Sequence, residues 1–162
     1  MVAASPLLER PSEAKDVDAL IDLVHEVIRA TLREVHPTLA KEGITMGQFW
    51  AIHTVSSLQA ASLGTVARYL GLSPPTVCAN IDQLEASGLV RRHRSERDRR
   101  AVEISLTPRG RKVEARVWSE IARSMTRAAR GLPDADIAAS VRVFREVTRR
   151  LESNGIVRRE DA

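Results

Sequence analysis

Apolar residues recur every three or four positions from Val17 through Leu20, Ile21, Val24, Val27, Ile28 and Leu32 to Val35. That period places them on one face of a long helix, which Pro37 is expected to end. A second helix is predicted from "TMGQFWAIHTVSSL", where Thr45 and Gln48 stand at capping-box spacing. A short helix over roughly 63 to 70 then halts at Gly71. Another starts around Ser73-Pro74-Pro75 and runs toward Gly88, with Ser73 or Pro74 as its cap.

The pattern changes over residues 89 to 107. "LVRRHRS", a charged "ERDRR" and "AVEISLT", with Val102, Ile104 and Leu106 alternating, read as strand, turn and strand. Thr107-Pro108 caps a further helix whose apolar positions are Val113, Val117, Trp118, Ile121 and Met125. "GLPDAD" breaks it, and Ile137, Val141, Phe144 and Leu151 mark a last helix. The expected fold is mainly α with a small β-hairpin, a winged helix-turn-helix between long N- and C-terminal helices. The divisions are an arm at 1–12, long helices in 13–44 and 108–155, a winged helix-turn-helix at 45–107 and a polar tail at 156–162.

The helix-turn-helix reading rests on Ala67 and Gly71 four apart, with Val77 six later: a small residue for close approach, a glycine for the turn, a branched anchor for the second helix. A plain core hairpin has the same spacing, so the exposed face has to decide. With Val77, Ile81 and Leu84 buried, the opposite side of that helix carries Pro75, Thr76, Ala79, Asp82 and Gln83, flanked by Cys78 and Asn80. These groups are narrow enough for a helix to seat in a major groove. Ser73 and Thr76 at its N-terminus can offer hydroxyls and amides to a phosphate. Asp82 would repel one, so it is expected to pair with a nearby arginine.

Charge strengthens the reading. The chain has 162 residues, 43% hydrophobic and 28% charged, with a formal net charge of +4. "RRHRSERDRR", residues 91 to 100, concentrates the positive charge just beyond the candidate recognition helix. A solvated loop is the usual fate of such a run. Here it caps a hairpin from which Arg94, Arg97 and Arg99 can reach a minor groove or its phosphates. Asp98 and Arg100 are expected to pair and shape the wing.

Residues 72 to 110, "LSPPTVCANIDQLEASGLVRRHRSERDRRAVEISLTPRG", resemble the signature region of MarR-type (multiple antibiotic resistance) transcriptional regulators. The resemblance lies in Leu84-Glu85…Gly88-Leu89-Val90, Asp98-Arg99-Arg100 and Leu106-Thr107…Gly110. It implies a homodimer whose long first and last helices interlock, a palindromic double-stranded DNA operator, and repression of neighbouring genes relieved by a small ligand. Ser73, Thr76, Ala79 and Asn80 then fall on the recognition helix, and Arg97, Asp98, Arg99 and Arg100 on the wing.

His36, Met46, Phe49, Trp50 and His53 gather near the start of the second helix and form a candidate pocket for a small aromatic or phenolic anion, although Phe49 and Trp50, each taken singly, are more readily read as core and dimer contacts. Cys78 is the chain's single cysteine, so an internal disulfide is excluded. A redox-responsive regulator acting through Cys78 is one alternative reading, and a winged-helix protein-interaction module is another. No metal or cofactor is expected: the four histidines, His25, His36, His53 and His93, are scattered. No phosphate loop, nucleophile elbow or zinc signature points to an enzyme. The N-terminus lacks a secretory pattern and no apolar run would span a bilayer, so a cytoplasmic protein without a membrane partner is expected.

Overall fold

A computed structural model describes residues 12–59, 61–95 and 102–160, with the backbone alone at 12–15, 152 and 154–160. In chain order the elements are α1 (Ser12–Glu42), α2 (Met46–Ser57), α3 (Leu63–Leu70), α4 (Pro74–Ala86), β1 (Val90–Arg94), β2 (Val102–Leu106), α5 (Pro108–Ala128) and α6 (Asp134–Glu160). The chain divides into two compact units, Met1–Met125 and Thr126–Ala162.

Within the first unit, α2, α3 and α4 form a three-helix core backed by the antiparallel β1–β2 hairpin, in the register Val90↔Leu106 to Arg94↔Val102. This is the expected winged helix-turn-helix. Phe49, Ile52 and Val55 of α2, Val66 of α3, Val77, Ile81 and Leu84 of α4, and Ile104 of β2 are all buried in one cluster. Val35 and Leu39 of α1 and Val113 and Val117 of α5 join it. Ala61, in the α2–α3 connection, adds a bridge to the hairpin: its N–H donates to the Ile104 carbonyl at 3.2 Å and its carbonyl accepts from the Ile104 N–H at 2.8 Å. The sequence pattern did not reveal this bridge, because a single residue has no periodicity.

Local chemistry sets the boundaries. Thr45 caps α2 with the complete capping box: the Gln48 N–H donates to Thr45 Oγ1 at 3.2 Å and the Thr45 N–H donates to Gln48 Oε1 at 2.8 Å. α3 ends at Gly71, whose φ of 65° lies in the left-handed region, and the Leu72 N–H returns to the Ala67 carbonyl at 3.1 Å. A β-carbon would make that turn costly. Between the two candidate caps of α4, Ser73 is the one used, because its hydroxyl accepts from the Thr76 N–H at 3.4 Å. Proline has no side-chain oxygen to do so.

Pro37 does not end the first helix. α1 continues to Glu42, because Val35 and Leu39 on either side of the proline are both buried in the core. That burial outweighs the lost backbone hydrogen bond. The Ile44 N–H closes the helix on the Leu39 carbonyl at 3.1 Å. At the other end Ser12 is already helical, and the rest of the 1–12 arm lies outside the described residues.

In the second unit, α6 runs on to Glu160, beyond the expected end at 155. No proline interrupts 154–160, and Gly155 costs a helix only about 1 kcal/mol. Among the described residues no helix is long and apolar enough to cross a membrane.

Candidate nucleic-acid interface

α4 buries Val77, Ile81 and Leu84 and leaves Ser73, Pro75, Thr76, Ala79 and Gln83 exposed, with Cys78 and Asn80 half-buried. Thr76, Ala79 and Gln83 follow at intervals of three and four, so they share one outward face. At its N-terminus the Ser73 and Thr76 hydroxyls lie 2.8 Å apart and both residues are exposed. All six α4 residues singled out from the sequence are therefore accessible at least in part, on a helix whose other side is locked into the core.

The hairpin is tied to the other flank of α4. From β1, Arg92 Nη2 donates to Asp82 Oδ1 at 2.6 Å and Nη1 donates to Glu85 Oε2 at 2.5 Å. Its backbone N–H donates to Glu85 Oε1 at 2.9 Å. The arginine expected to neutralise Asp82 is thus Arg92. These bonds hold the Glu85 carboxyl below the usual glutamate range, the main-chain bond from Arg92 contributing most and its guanidinium next. The bonded Glu85 was missed in sequence because it is separated from its partner by a helix end and a turn.

Gln83 is anchored as well, since its Oε1 accepts from Gln48 Nε2 of α2 at 2.6 Å. Cys78 Sγ sits 3.8 Å from Asp82 Oδ2.

On the hairpin itself, Arg91 is exposed and its Nε donates to Ser105 Oγ at 3.2 Å. Arg94 is exposed at the end of β1. Arg97, Asp98, Arg99 and Arg100 lie outside the described residues, between the two paired strands. The base of the wing is fixed to α5: Thr107 Oγ1 donates to the Gly88 carbonyl at 2.7 Å, and Arg109 Nη1 donates to the Ser87 carbonyl at 2.6 Å.

The five residues assigned to a pocket are only partly brought together. Phe49, Trp50 and His53 cluster, with the Phe49–Trp50 ring centroids 5.4 Å apart and Trp50–His53 5.9 Å apart. Phe49 is wholly buried, Trp50 is 42% exposed and Met46 packs against the core. His36 is exposed on α1 and joins none of these ring contacts. Two members come from α5 instead. Trp118 stacks on His53 with centroids 4.4 Å apart, and Glu114 Oε1 lies 2.8 Å from His53 Nδ1. Trp118 had been visible in sequence only as an apolar helix position. Among the described residues no group of three or more His, Cys, Asp and Glu could hold a metal ion.

Residues 42–101 match the family model described as "MarR family". Among curated proteins the HTH-type transcriptional repressor MdtR of Bacillus subtilis (strain 168) is 24% identical over 100 residues, 59% of this chain. The match spans 64% of MdtR, less than two thirds of its length. A MarR family protein from Bacillus stearothermophilus superposes with a TM-score of 0.73 at 22% identity, over 86% of this chain and 97% of that one. RV1404 from Mycobacterium tuberculosis gives 0.69 at 24%, over 89% and 97%. A mutant MarR from E. coli complexed with operator DNA gives 0.65 at 19%, over 82% and 95%. At these identities the likeness establishes the fold.

Proposed function

We propose that the protein is a sequence-specific double-stranded DNA-binding transcriptional regulator of the MarR type, a homodimeric repressor of neighbouring genes, a reading supported by the match of residues 42–101 to the MarR family model. The observation that carries this reading is the exposed Ser73–Gln83 face of α4, held by Arg92 beside an arginine-bearing hairpin. In this reading α4 enters the major groove, where Thr76, Ala79, Asn80 and Gln83 meet base edges. Ser73 and Thr76 at the helix N-terminus offer hydroxyls to the phosphates, with Pro75 on the groove-facing side beside them. Arg94, Arg97 and Arg99 bind phosphates or an adjacent minor groove, with Asp98 and Arg100 shaping the wing.

Exposed apolar rows support the dimer. Val17, Ile21, Val27 and Ile28 on α1, and Ile137, Val141, Phe144 and Val147 on α6, are all large hydrophobic residues open to solvent in the single chain. Covering such rows against a second copy is the ordinary remedy, and two-fold symmetry then presents two α4 helices to a palindrome. For the small effector, the ring cluster on α2 and α5 is the seat we assign. Half-exposed Trp50, Trp118 and His53 can face a flat aromatic anion, whereas Phe49 only backs them. This reading needs neither catalysis nor a cofactor.

The test is fluorescence anisotropy of the full chain on duplexes from its own upstream region and on a scrambled control, across a salt series, with and without salicylate-like anions. Salt-sensitive preference for the upstream duplex, weakened by an anion, is the expected result. Equal weak binding to both duplexes would overturn sequence-specific regulation and favour a protein-binding winged helix.

A further inference from the structure

Gln48 is buried in α2 and completes the capping box, yet a glutamate would complete that box equally well. What distinguishes glutamine here is its second end, which reaches the exposed face of α4. We propose that Gln48 is a positioning residue that sets which atom of Gln83 faces the DNA, and so which bases Gln83 accepts. The proposal rests on the reading that α4 lies in the major groove.

Donor and acceptor chemistry fixes the orientation of both carboxamides. The Thr45 backbone N–H can only donate, so the Gln48 atom facing it at 2.8 Å has to be the carbonyl oxygen. The other end of the same carboxamide is therefore the NH2 group, which faces Gln83 at 2.6 Å. An NH2 group donates, so Gln83 has to turn its own oxygen inward to accept. Gln83 is thereby left with its NH2 group pointing away from α2, on the outward face it shares with Thr76 and Ala79. A glutamine free to turn can present donor and acceptor together, as in the paired contact to adenine N6 and N7. Gln83 is held as a donor. It then favours base edges rich in acceptors, guanine O6 and N7 or thymine O4, and disfavours the cytosine N4 donor.

The relay can be reversed without touching Gln83. In Gln48→Glu the carboxylate still accepts from the Thr45 N–H and keeps the capping box. Its second oxygen now accepts from the Gln83 NH2 group, which turns that carboxamide round and presents its oxygen to the groove.

The experiment measures binding of the full chain to the upstream duplex and to a panel substituted one base pair at a time. Gln83→Ala should lose discrimination at one symmetry-related pair of positions. At those positions Gln48→Glu should shift preference from guanine or thymine toward cytosine by about threefold to tenfold, the scale of one hydrogen bond. A Gln48→Glu profile identical to the wild type overturns the relay. A wild type without preference on any duplex overturns the DNA reading itself. Side-chain amide NMR of the wild-type protein gives a second readout that needs no variant. The Gln83 NH2 signals should move when the bound duplex is added while those of Gln48 exchange slowly with solvent, and unmoved Gln83 signals would overturn the proposal.

Discussion

Arg92 on β1 grips Glu85 of α4 through main chain and side chain at once, its N–H on Oε1 at 2.9 Å and its Nη1 on Oε2 at 2.5 Å. Its other terminal nitrogen, Nη2, is on Asp82 Oδ1 at 2.6 Å. A helix and a hairpin joined by three bonds to one residue cannot rotate independently. The direction in which the wing leaves the candidate recognition helix is therefore set at Arg92.

Replacing Arg92 should accordingly damage DNA binding more than folding. In Arg92→Met the partly exposed ion pairs are lost at a cost of about 1 kcal/mol, measurable as a modest fall in thermal stability with unchanged helix content. Affinity for the upstream duplex should fall at least about tenfold, because two unpaired carboxylates remain near the phosphates. Arg92→Lys keeps the charge but cannot fork between two carboxylates, so it should recover little. Full recovery by lysine would show that charge alone matters.

The Glu85 carboxyl is held below the ordinary value of 4.5 by its bonds from Arg92. Its contribution is therefore fully present above that ordinary value and is lost as pH falls through the lower value it has in the folded protein. The stability difference between wild type and Glu85→Gln, taken from urea titrations, should stay constant near neutral pH and shrink below about pH 4.5. A difference that persists unchanged into stronger acid would argue against the ion pair.

Gly110 is the tightest point in the joint between wing and α5. A β-carbon there would lie 1.9 Å from the Leu89 carbonyl oxygen, and this neighbour is backbone that cannot swing aside. Gly110→Ala should destabilise the protein by about 3 kcal/mol in urea unfolding. Gly64→Ala is the contrast. Its nearest neighbour is 4.0 Å away inside the helix α3, and the change should stabilise by about 0.5 to 1 kcal/mol. Equal effects at the two sites would contradict the packing described.

His53 contacts both of the chain's tryptophans, with its ring stacked on Trp118 and edge-on to Trp50. His53→Ala removes that stack and leaves Glu114 without its ring nitrogen. A loss of about 1 kcal/mol is expected, with a change in tryptophan emission that reports the same event. Unaltered emission would mean that the stack does not persist in solution.

The helix-turn-helix could be read in advance because its signals are local. Thr45 with Gln48, Gly71, and Ser73 before two prolines each act within one turn of chain. The 3.6-residue period separated Val77, Ile81 and Leu84 from the Thr76–Ala79–Gln83 face before any tertiary contact was known. Pro37 misled for a related reason. It is a local breaker, whereas the burial of Val35 and Leu39 that overrides it arises only when α1 meets the core.

What the chain determined by itself was the order of elements, the helix caps, the buried stripe of α4 and the placing of arginines after it. All of these follow from backbone geometry and side-chain type over a few residues. What only the tertiary structure decided was who meets whom across the sequence: Arg92 with both Asp82 and Glu85, Gln48 with Gln83, His53 with Trp118, and Ala61 with Ile104. Such pairs carry no periodicity, because each depends on where separate elements come to rest once the common core has packed. The orientation of Gln83 belongs to that second class.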